Sequence, residues 1–68
     1  MEWQVTIDDD IQNVKLLDGS TANDLVDYLG LHPDSLLVVT DEEKMIPIPL
    51  VSKLPKKPIR IILVASGG

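Results

Sequence analysis

The sequence contains no cysteine. That excludes disulfides, thiolate metal sites and a cysteine nucleophile. A single histidine, His32, leaves too few nitrogen ligands for a zinc site, and its place before Pro33 marks it as a loop residue at a helix end. Aromatic residues are scarce at 3%, with Trp3 expected in the core and Tyr28 on a helix flank. No apolar run approaches membrane-spanning length. Met1 leads directly into "EWQVTIDDD" without the basic and then apolar segments of a secretory leader, so the expectation is a cytoplasmic protein with no membrane partner. Basic residues are outnumbered, six against eleven acidic, and the net charge of −5 disfavours direct binding to nucleic-acid phosphates. It is compatible with a basic protein partner and equally with ordinary solubility. No acid–base pair or nucleophile stands out, so catalytic residues in the enzyme sense are not expected.

What is present suffices for one small domain. The 68 residues lie near the lower limit for a core that stands without staples, and a hydrophobic content of 44% argues for folding. Trp3, Val5 and Ile7 alternate with polar residues as in a half-buried strand. Asp8-Asp9-Asp10 reads as a polar turn, since the glycine and bidentate Glu of a calcium loop are missing. Ile11, Val14 and Leu16 continue as a second strand in which Asn13 breaks the alternation and suggests a bulge.

The stretch "DGSTANDLVDYLGLHP" carries helix signals. Thr21 is placed to cap, with Asp24 three residues on approximating a capping box. Ala22, Leu25, Val26 and Leu29 form an apolar stripe, and Gly30 stands where a left-handed C-cap is wanted. A helix of about two to three turns does not persist alone in water and must pack on a sheet. A third strand, a turn over Asp41–Lys44, a short fourth strand interrupted by Pro47 and Pro49, a loop and a last strand complete the order β-β-α-β-β-β.

One helix covers one face of a sheet, yet Leu36–Val39 and Ile61–Val64 are apolar on both faces. Alternation in the last strand sends Ile59, Ile61 and Leu63 to the helix and leaves Arg60, Ile62 and Val64 on the open face. The neighbouring strand is expected to add two of its four apolar residues, with Leu36 and Val38 the candidates. A contiguous exposed patch of this kind marks a partner-binding face.

The chain ends on Gly67-Gly68. A hairpin, a capped helix, a further hairpin and a last strand running into Gly-Gly resemble the β-grasp fold of ubiquitin-like proteins. Within that fold the sequence most resembles the small sulfur carriers and small archaeal modifiers, the superfamily of the thiamine-pathway carrier, the small subunit of molybdopterin synthase and the bacterial carrier for tRNA thiolation. The stretches "GSTANDLVDYLGLHPDSLLVVTDEEKMIPI" and "IRIILVASGG" carry the resemblance, which covers essentially the whole chain. Two departures stand out: Asp41–Lys44 replaces the Asn-Gly or Asp-Gly common in the turn, and the last strand has no aromatic, which makes the molybdopterin role less favoured.

The resemblance implies an α+β domain over residues 1–64, with one helix on one face of a mixed sheet, and a flexible tail over residues 65–68. It also implies a monomeric carrier with no bound cofactor, which is a substrate and not an enzyme. An ATP-dependent, ubiquitin-activating-type enzyme would adenylate the carboxylate of Gly68. The acyl group would then be thiocarboxylated for a sulfur-acceptor enzyme, or joined to target lysines by an isopeptide bond. Gly67, Ser66 and Ala65 would thread the enzyme's channel, where residues lacking bulk let backbone and ligand approach closely. Lys53, Lys56 and Lys57 are candidate lysine acceptors within an otherwise ordinary solvated loop. The alternative is a non-catalytic β-grasp interaction domain with an inert tail.

Overall fold

The computed structural model describes residues 1–64. The expected tail, Ala65–Gly68, lies outside the described residues. Strand β1 (Glu2–Ile7) and strand β2 (Asp10–Lys15) form an antiparallel hairpin, followed by helix α1 (Ala22–Leu29). A 3-10 turn (Pro33–Ser35) then leads into β3 (Leu36–Thr40), and β4 (Ile59–Leu63) closes the fold. The sheet order is β2-β1-β4-β3, with β1 and β4 parallel at the centre and the outer pairs antiparallel. This is an α+β, β-grasp-like architecture.

The hairpin turns through Asp8-Asp9, with Asp8 at φ 54, a left-handed conformation that aspartate tolerates better than most residues. Gln4 pairs with Asn13 in an unbroken register, so the bulge expected at Asn13 is absent. Asn13 is an exposed residue in a strand that buries only Val14, and its polarity reflects that exposure.

Every early amide of α1 finds a partner. The Thr21 hydroxyl accepts from Asp24 N, and the Asp24 carboxylate accepts from Thr21 N, which completes the capping box. The remaining two donors, Ala22 N and Asn23 N, reach the carbonyls of Ser52 and Leu50 at 3.0 and 2.9 Å. At the other end Gly30 adopts φ 70 and ψ 26, and Leu31 N donates to Val26 O as the chain leaves the helix.

The expected fourth strand is reduced to one bridge. Thr40 N donates to Ile46 O and Ile48 N to Val38 O, on the outer edge of β3, and Pro47 sits between them where no donor is required. Pairing stops there because Pro49 opens a turn closed by Ser52 N, which carries the chain to the start of α1.

The core lies between α1 and one face of the sheet. Ala22, Leu25 and Val26 pack with Trp3, Val5, Val14, Leu36, Val38, Ile59 and Ile61, and Leu54 closes one side. Leu29 is only half-buried at the edge of this cluster. Leu25→Ala should therefore cost about 2–5 kcal/mol. Leu29→Ala should cost less, about 1–2 kcal/mol, in proportion to its smaller buried area. Urea unfolding of both variants checks the order; an equal or greater loss at Leu29 would contradict this packing.

Candidate functional site

The sheet face away from α1 is the candidate site, and strand register decides its composition. Val38 pairs with Ile61 and Leu36 with Leu63, which places these residues on the helix side. Leu36 and Val38 are buried core residues, so the sequence-based choice of both for the open face is corrected. The residues on the face away from α1 are Leu37, paired with Ile62 and exposed, and Val39, paired with Arg60 but buried. A run of consecutive apolar residues contains no alternation from which this phase could be read.

The assignment within β4 follows alternation up to its last residue. Ile59 and Ile61 are buried, while Arg60 is half-exposed and Ile62 is exposed. Leu63 is 43% exposed although it shares a face with Ile61. The eight residues of α1 span only about 12 Å and do not cover the end of the strand.

Two rows define the open face. One row reads Ile11, Thr6, Arg60 and Val39 across the four strands. Its middle is polar: Arg60 Nε donates to Asp41 Oδ1 at 3.1 Å, and the Thr6 hydroxyl donates to Asp41 Oδ2 at 3.3 Å. Asp41 N donates to Pro58 O, which holds the carboxylate over the β1–β4 pair. Arg60 is thus engaged within the fold and not a free cation. The next row holds Leu37 and Ile62, exposed by 55% and 37%, with Val64 one step beyond. Val64 N donates to Ser35 O at 2.8 Å, extending the pairing pattern to the last described residue. The exposed apolar surface therefore ends where the chain enters Ala65–Gly68.

Lys53, Lys56 and Lys57 are all exposed in the segment between the bridge and β4. Lys53 stands opposite Thr21 in a short bridge, and Lys57 lies 3.5 Å from Glu42 in an exposed pair of little energetic weight. The acidic turn Asp8–Asp10 is exposed, and among the described residues no three His, Cys, Asp or Glu side chains gather as a metal site. No helix of the described residues is long and apolar enough to cross a membrane. Sequence reasoning missed Leu37 and the Asp41 link, since from sequence Asp41 reads only as a turn residue.

The neighbours Ile61 and Ile62 provide an internal control. Ile61→Ser should cost several kcal/mol, because it leaves a void and buries a hydroxyl without a partner. Ile62→Ser should change stability by about 1 kcal/mol or less. Thermal and urea unfolding of both variants distinguish the faces, and similar losses would mean that Ile62 is covered.

Comparison with protein-family models finds no match, and comparison with curated proteins finds none either.

Proposed function

We propose that this protein is a ubiquitin-like sulfur carrier and modifier whose Gly68 carboxylate is the reacting group. The observation that supports this reading is the path of β4. A central strand, held on both sides, delivers the chain at Val64 beside the exposed Leu37–Ile62–Val64 surface, with two residues between it and Gly67-Gly68. A rigid base and a small-residue extension suit a tail that must enter a partner's active site while the domain docks outside it.

In this reading the chain is a substrate. A carboxylate is a poor acyl donor because its oxygen does not leave. Attack of the Gly68 carboxylate oxygen on the α-phosphorus of ATP, in an activating enzyme, forms an acyl adenylate and releases pyrophosphate. Hydrosulfide then attacks the acyl carbon, expels AMP and leaves a thiocarboxylate, while attack by a lysine amine gives an isopeptide bond. The thiocarboxylate would serve tRNA thiolation or cofactor biosynthesis in the cytoplasm. Leu37, Ile62 and Val64 supply the docking contact, and burial of such surface contributes roughly 25 cal/mol per Å² before association costs.

Intact-mass measurement after incubation with a cognate activating enzyme, ATP and sulfide tests the reading. The expected result is the mass gain of one oxygen replaced by sulfur. Deleting Gly67-Gly68 should abolish that gain while leaving the melting temperature nearly unchanged. Ile62→Ser should slow activation without unfolding the domain. Undiminished activation of the truncated chain would overturn the proposal, and an unreacted full chain would favour the interaction domain with an inert tail.

A further inference from the structure

The opposite end of the β1–β4 pair holds a second feature, independent of the tail. Met1 N donates to Leu16 O at 2.8 Å and Leu16 N donates to Met1 O at 2.9 Å, so these two residues form a hydrogen-bonded pair. Antiparallel alternation then turns the N–H and C=O of Trp3 and Val5 toward β2, and those of Glu2 and Gln4 to the other side. β4 begins its pairing only at Val5↔Ile59. Alongside Glu2–Gln4 runs Lys56-Lys57-Pro58, which does not join the ladder, and the Pro58 carbonyl turns the other way to accept from Asp41 N.

The result is a cleft of about 210 Å³ walled by Glu2, Trp3 and Gln4 on one side and Lys56, Lys57 and Pro58 on the other. Trp3 is 2% exposed, and its indole Nε1 donates to Pro55 O at 2.7 Å, so the far wall is anchored to the core.

We propose that this cleft binds an extended acidic peptide segment of a partner protein, which adds as a short strand beside Glu2–Gln4. The outward N–H groups of Glu2 and Gln4 would donate to the peptide's carbonyls, and Glu2 C=O would accept from one of its amides, as in strand addition at a sheet edge. Charge selects the peptide. Two of the six basic residues of a chain carrying −5 overall line this one cleft. Glu2 also lines the cleft and has Lys15 as its register partner across the hairpin, and Lys57 makes an exposed 3.5 Å contact with Glu42. A small anion would use the lysines but leave the strand's donors unused, so the site as a whole calls for a main chain.

Trp3, the one tryptophan, supplies a reporter. The full chain is titrated with the blocked peptide acetyl-Val-Asp-Val-Asp-Val-amide, with its lysine-for-aspartate counterpart, and with a version N-methylated at alternate amides. Binding of the acidic peptide should be saturable in Trp3 emission, and amide NMR shifts should centre on Glu2, Gln4 and the Trp3 indole. Lys56→Gln combined with Lys57→Gln should weaken it about three- to tenfold while the fold is retained. N-methylation should abolish it. An equal response to the lysine peptide, retained binding after N-methylation, or shifts centred on Leu37 and Ile62 would overturn the proposal. So would the same shifts produced by raising protein concentration alone, which would make the occupant a second copy of this chain. None of these results depends on Gly68, so failure here and failure of the carrier reading are distinguishable.

Discussion

Parallel pairing of the first strand with the last is the constraint on which the rest of the structure depends. Two parallel neighbours cannot be joined by a tight turn, so the chain between Ile7 and Ile59 must cross over and return. In 68 residues there is room for one helix in that crossover, and it covers only one face of the sheet. The other face is left to the hairpins' outward side chains. Polarity covers half of it, through Thr6, Arg60 and Asp41, and Leu37, Ile62 and Val64 remain exposed. The two candidate surfaces are thus the two ends of one strand pair, a C-terminal exit from β4 and an incomplete ladder beside the start of β1.

Elements governed by local rules were legible from the sequence. The hairpin around Asp8-Asp9, the Thr21–Asp24 capping box and the left-handed Gly30 each depend on residues within a few positions of one another. The faces of Ile59 to Ile62 were legible as well, because Arg60 interrupts the apolar run and fixes its phase.

What was not legible depends on partners distant in the chain. Leu36-Leu37-Val38-Val39 has no polar residue to set its phase, and only the pairing with β4 decides that Leu37 faces out. The segment around Pro47 has a strand's composition, yet the demands of the helix start draw it away after a single bridge. Asn13 sits in regular pairing because an edge strand with an exposed face accepts a polar residue without deforming. The cleft beside Glu2–Gln4 has no motif at all, since it exists where the pairing of β1 with β4 begins only at Val5 and Ile59.

The helix start has a consequence for dynamics. Two of its first amides are bonded to carbonyls at Leu50 and Ser52, and Leu54 N returns a bond to Ser20 O. Fraying of α1 from its N-terminus therefore requires the segment from Leu50 to Leu54 to lift as well, which also withdraws Leu54 from the core. Short helices ordinarily exchange their first-turn amide protons almost freely, through openings of small free energy. Here the same bonds tie Ala22 and Asn23 to a larger unit, so their exchange should require the helix start and the segment from Leu50 to Leu54 to open together.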